Sequence, residues 1–262
     1  MNVLLSVNGL SKMYYGSKGK GTIDVIQNIS FHIDKGECLG LVGESGCGKS
    51  TLAKLLLLLE HPDCGEISFN GSLLKGLKGK ALRTMRQHIQ GVFQDPNASL
   101  NDRLPVWRSV LEPLDNYPEV VPPFLSDIRN SRRKAAGRLF DMVGLELACM
   151  ERYPHELSGG QRQRVVIARG ISLLPKLLIC DEATTSLDVT VQSQILQLLD
   201  QLRLELGLAY LFISHDIAVV EQMSDRILIM QAGMIVDQFA KSKIWSKDRH
   251  PYTQLLIAAA RS

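Results

Sequence analysis

One short segment, Gly-Glu-Ser-Gly-Cys-Gly-Lys-Ser at residues 43–50, limits the fold more than any other part of the chain. It matches the pattern G-x-x-x-x-G-K-[ST], and it lies between the apolar run Cys38–Val42 and the leucine-rich segment Lys49–Leu59. Glycines let such a loop turn tightly enough to aim backbone N–H groups at phosphate oxygens, and the following helix presents its positive end to the same anion. The sequence therefore predicts a phosphate-binding loop between a strand and a helix.

The residues of this loop have separate predicted roles. We expect Lys49 to reach the β- and γ-phosphates of a bound nucleotide and the Ser50 hydroxyl to ligate Mg²⁺. Backbone N–H groups along the loop would bind the remaining phosphate oxygens. The residues predicted to contact the nucleotide here are Gly43, Glu44, Ser45, Gly46, Cys47, Gly48, Lys49, Ser50 and Thr51.

A pair of acidic residues, Asp181 and Glu182, follows the apolar run Leu177–Cys180. Ligand-binding residues of α/β proteins collect where parallel strands end, so this pair is expected near the phosphate loop. Asp181 is the predicted second protein ligand of Mg²⁺. Glu182 is predicted to orient or deprotonate the attacking water, a role that typically contributes about 10²–10⁴-fold to a rate.

Short apolar runs and segments of helical period alternate along the chain. They predict strands at Val3–Val7, Ile29–Ile33, Cys38–Val42, Glu66–Asn70, Leu177–Cys180, Tyr210–Ser214, Ile227–Met230 and Met234–Phe239. They predict helices at Lys49–Leu59, Lys80–Gln87, Ser131–Leu147, Gly160–Ser172 and Val191–Leu206. This order predicts an α/β fold with a parallel sheet, interrupted roughly between residues 95 and 165 by a helical insertion.

The first part of that insertion is rich in proline. Because proline breaks both helices and central strands, we expect a connector with no regular element through this stretch. The prolines concerned are Pro105, Pro113, Pro118, Pro122 and Pro123.

A third motif, Leu157-Ser158-Gly159-Gly160-Gln161, lies between the phosphate loop and the acidic pair. The three motifs in this order resemble the signature set of ABC-type ATPases, and the resemblance covers essentially the whole chain. Further positions similar to family motifs are Gln94 (the Q-loop glutamine), Ser186-Leu187-Asp188 (the D-loop) and His215 (the switch histidine). Tyr14 occupies the position where the family stacks an aromatic ring on adenine, and the adjacent Tyr15 is the alternative.

The resemblance implies a P-loop ABC ATPase domain with a parallel-sheet core, an N-terminal antiparallel β subdomain and an inserted α-helical subdomain. A single domain over residues 1–262 is then expected. Its expected parts are a catalytic core at about 1–94 and 165–240, a helical insertion at about 95–164 and a C-terminal extension at 241–262.

The resemblance also implies ATP and Mg²⁺ as cofactors, and a reaction that hydrolyses ATP. Ser50, Gln94 and Asp181 would surround the metal, and Lys49, Glu182 and His215 would act in catalysis. Two such subunits are expected to pair head to tail, with each ATP held between the phosphate loop of one subunit and the signature of the other. The residues expected to act across that interface are Ser158, Gly159, Gly160, Gln161 and Asp188.

Further short sequence segments are similar to segments of the ATPases of oligopeptide, dipeptide and nickel importers. The segments that carry this likeness are residues 92–96, 98–101, 153–156, 188–192 and His250-Pro-Tyr-Thr253. Such systems imply a different chain as the second ATPase, two transmembrane permease subunits and an extracytoplasmic substrate-binding protein. The expected location is the cytoplasmic face of the cell membrane, and the residues leave peptide, nickel and metal chelate open as cargo.

Composition excludes other classes. No apolar segment approaches the ~20 residues of a membrane-spanning helix, and a net charge of +3 gives no nucleic-acid footprint. The five cysteines include no Cys-x-x-Cys pair, which predicts neither disulfides nor a zinc site.

Two alternative functions remain. A soluble ABC ATPase without a transport role is disfavoured by the short span between Lys49 and Ser158. A regulatory subunit is disfavoured because the catalytic residue types are all present.

Overall fold

The computed structural model describes residues 2–15, 21–95, 99–185 and 187–260. The glycine- and lysine-rich sequence of residues 16–21 predicts a turn, and all of it except Gly21 lies outside the described residues. Two sheets form the scaffold. The strands are β1 (Val3–Tyr15), β2 (Thr22–Asp34), β3 (Cys38–Val42), β4 (Cys64–Phe69), β5 (Ser72–Leu73), β6 (Ile89–Phe93), β7 (Leu177–Asp181), β8 (Ala209–Ser214), β9 (Arg226–Gln231) and β10 (Met234–Ala240).

The first sheet is antiparallel and has the order β2-β1-β4-β5. Its strands are longer than the apolar runs predicted, because one face of the sheet meets solvent and polar residues alternate with buried ones. The second sheet has the order β10-β9-β3-β8-β7-β6 and is parallel except for β10, which closes a hairpin with β9. Strands β3, β7 and β8 are buried along their whole length.

The helices are α1 (Lys49–Leu56), α2 (Gly79–His88), α3 (Val106–Asn116), α4 (Arg132–Met142), α5 (Gly159–Ile171), α6 (Val189–Leu206), α7 (Ile217–Met223) and α8 (Pro251–Ala259). One apolar core lies between the antiparallel sheet, α1 and one face of the parallel sheet. A second core packs the other face against α5, α6 and the inserted helices. The predicted α/β architecture is confirmed, with α1 and α4 shorter than expected.

The prediction that the proline-rich stretch is a connector without regular structure is wrong. Helix α3 runs through Pro113, although a proline inside a helix removes one backbone hydrogen bond. Buried side chains on one face compensate, since Val106, Val110 and Leu114 are each fully enclosed in the second core. The neighbouring Pro105 lies just before the helix, where an extended residue is favourable.

Two further observations concern the length of the helices and the state of the cysteines. None of the helices in the described ranges is long and apolar enough to span a bilayer. All five cysteines are unpaired, as expected, and Cys38, Cys47, Cys149 and Cys180 are buried. Cys64 is the exposed cysteine and lies at the start of β4.

Candidate nucleotide site

The carboxyl ends of four adjacent strands meet at one edge of the parallel sheet. The phosphate loop follows β3, the acidic pair closes β7, His215 follows β8 and Gln94 follows β6. Because these strands run parallel in the order β3-β8-β7-β6, motifs far apart in sequence come to the same edge. The structure thus brings together the loop, Asp181, Glu182 and His215.

The phosphate loop turns sharply into α1. Gly48 precedes the helix with φ 109°, in the region where only glycine is relaxed. The Lys49 side chain is buried, and its Nζ donates to the carbonyl oxygens of Gly43 at 2.7 Å and Glu44 at 2.8 Å. The lysine thus lies folded back over the loop, with its charge satisfied by backbone oxygens.

A neighbouring hairpin supports the loop from outside. The Gly233 N–H, in the turn between β9 and β10, donates to the Cys47 carbonyl at 3.1 Å. The Gly233 carbonyl accepts from the Gln27 N–H at 2.8 Å, so β2 joins the same support. These bonds fix the loop relative to both sheets.

Asp181 provides an oxygen suited to a metal. Its side chain is buried, and Oδ1 has no hydrogen-bond partner among the residues that the structure describes. Burial raises the pKa of this carboxyl, and the nearby Ser50 hydroxyl and Lys49 ammonium partly oppose that rise. A buried carboxylate oxygen without a partner is costly unless a cation or donor meets it. The arrangement therefore fits Mg²⁺ beside Ser50.

Glu182 adopts a strained backbone conformation at the end of β7. Its φ is +51°, a left-handed value that residues other than glycine rarely adopt. Its N–H donates to the Ile213 carbonyl at 3.0 Å, and the Thr185 hydroxyl donates to its carbonyl at 2.9 Å. The carboxylate is mostly shielded, and its Oε1 lies 3.7 Å from Nδ1 of His215. With this backbone conformation the Glu182 carboxylate lies beside His215, which follows β8 at the same sheet edge.

The signature residues begin α5, which leads from the insertion into the second core. The Ser158 hydroxyl accepts from the Gln161 N–H at 3.2 Å, and the Gln161 side chain accepts from the Ser158 N–H at 3.0 Å. This reciprocal capping satisfies two N–H groups at the helix start. Ser158 is exposed there, and Gly159 and Gly160 are partly exposed. Gly160 is required by packing, because a Cβ there would lie 2.6 Å from Val191 Cγ1.

The D-loop residue Asp188 caps α6, where its carboxylate accepts from the Val191 N–H at 2.9 Å. Helices α5 and α6 therefore start side by side, joined through the contact of Gly160 with Val191. Ser186 of the same predicted motif lies outside the described residues. Gln94 is exposed just beyond β6.

The two candidate adenine-stacking tyrosines differ in their surroundings. Tyr14 is half-buried, and its hydroxyl donates to the Glu60 carboxylate. Burial and the Glu60 carboxylate raise the pKa of this hydroxyl, and the nearby Thr51 side chain partly opposes that rise. Tyr15 is 87% exposed. The Tyr14 hydroxyl therefore lies near residues that follow the phosphate loop, whereas most of the Tyr15 side chain meets solvent.

Sequence reasoning missed one residue at this site. The Tyr252 hydroxyl, on α8, accepts a hydrogen bond from the Glu44 N–H of the phosphate loop. The segment His250-Pro-Tyr-Thr253 was visible as a family marker, and a proline at the first helical position signals a helix start. Its contact with the loop spans the chain and has no local signal.

The fold and this edge define a class of protein: a P-loop ATPase whose core carries an inserted helical segment with a signature helix. The sequence model described as ABC transporter matches residues 26–185. The chain belongs to this family and is an ATP-binding, ATP-hydrolysing subunit of an ABC transporter.

Individual relatives agree with this assignment. The chain is 45% identical over 99% of its length to a probable peptide ABC transporter ATP-binding protein of Sinorhizobium fredii, of which 73% is covered. It is 42% identical over 98% of its length to the dipeptide transport ATP-binding protein DppF of Escherichia coli, of which 76% is covered. Among solved structures, it is similar to the dimeric ATP-binding cassette MJ0796 bound to ADP and phosphate, with TM-score 0.79, 30% identity and 91% and 99% of the two chains covered.

Proposed function

We propose that this chain powers a peptide importer by binding and hydrolysing MgATP at the sheet edge that carries Lys49, Asp181 and Glu182. The observation that carries this proposal is the meeting of a phosphate loop, an unpartnered buried carboxylate oxygen and a strained, shielded glutamate at one edge. The chain would act at the cytoplasmic face of the membrane, bound to permease subunits.

Binding of ATP requires Lys49 to change partners. Its ammonium would leave the Gly43 and Glu44 carbonyl oxygens and meet the β- and γ-phosphates, while backbone N–H groups of the loop bind the same anion. Asp181 and Ser50 would hold Mg²⁺, with Gln94 approaching from β6. The bound metal would neutralise phosphate charge during the transfer.

Glu182 and His215 would handle the attacking water. The glutamate carboxylate would accept a hydrogen bond from the water and withdraw its proton as the water oxygen bonds to the γ-phosphorus. The bond from that phosphorus to the bridging oxygen breaks in the same transfer, and ADP leaves with the bridging oxygen. The histidine, 3.7 Å from that carboxylate, would orient it and contact the γ-phosphate side of the site. The backbone bonds of Glu182 keep its side chain in place for this step.

A second ATPase subunit would complete each site. The N-terminus of α5, with exposed Ser158 and partly exposed Gly159 and Gly160, would offer backbone N–H groups to the ATP bound by the other subunit. Gln161 and Asp188 fix that surface by capping α5 and α6. The proposed partner is a different, homologous chain arranged head to tail, as the similarity to peptide transport ATPases suggests.

A groove between the core and the insertion is the proposed permease contact. Gln90 and Phe93 of β6 line one side, and Glu112 and Tyr117 at the end of α3 line the other. Because Gln94 lies directly beyond β6, a permease segment in this groove would be adjacent to the residue expected near the metal. Movement of the insertion during hydrolysis would then reach the membrane subunits.

Transport assays with two kinds of cargo test the proposed substrate class. In reconstituted vesicles that contain this chain, its partner ATPase, permeases and binding protein, we expect ATP-dependent uptake of labelled di- or oligopeptide and ATPase stimulation by the same peptide. Nickel and nickel chelates serve as the comparison cargo. Uptake of nickel without uptake of peptide would contradict the proposed substrate class while leaving the ATPase assignment intact.

Tyr14 is proposed to stack on adenine, and Tyr15 is its matched control. Replacing Tyr14 with alanine should raise the Kd for ATP about tenfold, because stacking on a base is typically worth ~1–3 kcal/mol. Tyr15→Ala should leave this Kd unchanged, since the Tyr15 side chain is 87% exposed and Tyr14 is the proposed stacking residue. Calorimetric titration of both variants with ATP measures the difference. The opposite ranking of the two variants would assign the stacking role to Tyr15.

A further inference from the structure

The C-terminal segment reaches back to the phosphate loop through Tyr252. The Glu44 N–H donates to the Tyr252 hydroxyl at 3.0 Å, joining residues 208 positions apart. The tyrosine ring is buried at 6% exposure. Burial also raises the pKa of this hydroxyl, so it stays protonated at neutral pH. This bond is the one that α8 makes with the loop backbone among the described residues.

Helix α8 is itself anchored by one carboxylate. Asp237 on β10 accepts from the His250 N–H at 3.0 Å, from the buried Thr253 hydroxyl at 2.9 Å and from the Arg249 guanidinium at 3.2 Å. The His250 side chain then caps the helix by accepting from the Tyr252 N–H. Asp237 therefore fixes the start of α8 and, with it, the position of the Tyr252 hydroxyl.

Glu44 has three hydrogen-bond supports. The first is the Lys49 ammonium, which donates to the Glu44 carbonyl, and the second is the Cys47 N–H, which donates to the same carbonyl at 3.3 Å. The third is the Tyr252 hydroxyl on α8, which accepts from the Glu44 N–H. The proposed function removes the first support when Lys49 turns to the phosphates. The bond from the Cys47 N–H then remains within the loop, and the Tyr252 bond ties Glu44 to an element outside the loop. The Cys47 carbonyl is held separately by Gly233.

We propose that Tyr252 is a positioning residue of the nucleotide site, which keeps the Glu44 end of the phosphate loop in its binding conformation after Lys49 has moved. The inference rests on the proposed role of Lys49. It gives the C-terminal segment a part in ATP affinity, through Asp237, the start of α8 and the Tyr252 hydroxyl.

The Tyr252→Phe variant tests this inference, because it removes only the hydroxyl and keeps the ring packing. We expect the Kd for MgATP of the full chain to rise about fivefold, the usual effect of one hydrogen bond. In the assembled transporter, KM for ATP should rise by a similar factor while kcat stays within twofold, since the bond is equal in ground and transition states. Asp237→Ala should reproduce the rise in Kd by releasing α8.

Tyr210→Phe is the matched control. The Tyr210 hydroxyl is also buried and donates to the Leu199 carbonyl at 3.0 Å, in the core below the nucleotide edge. Its loss should lower the melting temperature without changing Kd. A wild-type Kd in Tyr252→Phe, or an equal rise in Tyr210→Phe, would overturn the inference. If Lys49→Ala loses ATP binding while Tyr252→Phe keeps it, only the role of Tyr252 fails; a wild-type Kd in both refutes the proposed function as well.

Discussion

Replacing Glu182 with glutamine is expected to slow ATP hydrolysis at least ~10²-fold while leaving ATP binding intact. Glutamine keeps the size and hydrogen-bonding reach of the side chain but cannot withdraw a proton from water. Lys49, Ser50 and Asp181, which are proposed to bind the phosphates and the metal, are unchanged. The loss should therefore appear in kcat and not in the Kd for ATP.

The backbone around Glu182 explains why this variant is informative. The left-handed conformation is held by bonds of the Glu182 main chain to Ile213 and Thr185, and neither bond involves the carboxylate. Exchange of the carboxylate for an amide should therefore preserve the local fold. The variant thus removes the chemistry of the side chain without moving it.

The measurement compares single-turnover hydrolysis and ATP binding in the assembled transporter. Glu205→Gln is a suitable control, because Glu205 is exposed on α6 and bonds only to Gln201 Nε2 on the same helix among the contacts described. It should hydrolyse ATP at the wild-type rate. Wild-type turnover in Glu182→Gln would show that the glutamate does not withdraw the proton of the attacking water, and His215 would then be the next residue to test in that role.

Much of the fold could be predicted from local patterns. Each buried strand of the parallel sheet reads as an apolar run, and a ligand motif directly after such a run has to lie at the carboxyl edge. This is why the loop, Asp181 and Glu182 could be placed near each other before any coordinates. Helix α3 could not be predicted in this way. The low helix propensity of Pro113 is a local property of the sequence, whereas the burial of Val110 and Leu114, which overrides it, depends on the folded core.

The site shows the same division between local and distant information. The capping of α5 by Ser158 and Gln161 involves residues three apart, and its pattern is visible in the sequence. The backbone strain at Glu182 and the bond from Glu44 to Tyr252 each require a distant strand or helix. The different surroundings of Tyr14 and Tyr15 also needed coordinates, because they depend on which side chain of β1 meets Glu60 and which meets solvent.

The second large expected effect concerns which subunit completes which site. Lys49 lies at the edge of the parallel sheet, whereas Ser158 lies exposed at the start of α5, at the end of the insertion. In a head-to-tail pair, Lys49→Ala damages the site built on this chain's phosphate loop. Ser158→Arg damages the partner's site instead, because a bulky cation enters its γ-phosphate pocket.

Two double mutants of the assembled transporter separate these sites. With Lys49→Ala and Ser158→Arg both in this chain, each site is damaged once, and ATPase activity should be abolished. With Lys49→Ala here and the equivalent signature change in the partner, one site is damaged twice and the other is intact, so measurable hydrolysis should remain. The Ser158→Arg chain also loses an N-cap, which costs about 1 kcal/mol, so its melting temperature is compared with that of the wild type.

Sites completed within one chain would give the reverse pattern. The double mutant of this chain would then keep the partner's site and hydrolyse ATP, while the mixed combination would lose both sites. ATPase rates of the two complexes, measured side by side at saturating ATP, decide between the arrangements. Since both complexes carry the same Lys49→Ala change, any difference between them comes from the subunit in which the signature is altered. Activity confined to the complex with both changes in this chain would therefore refute the shared site and place Ser158 against the phosphate loop of its own chain.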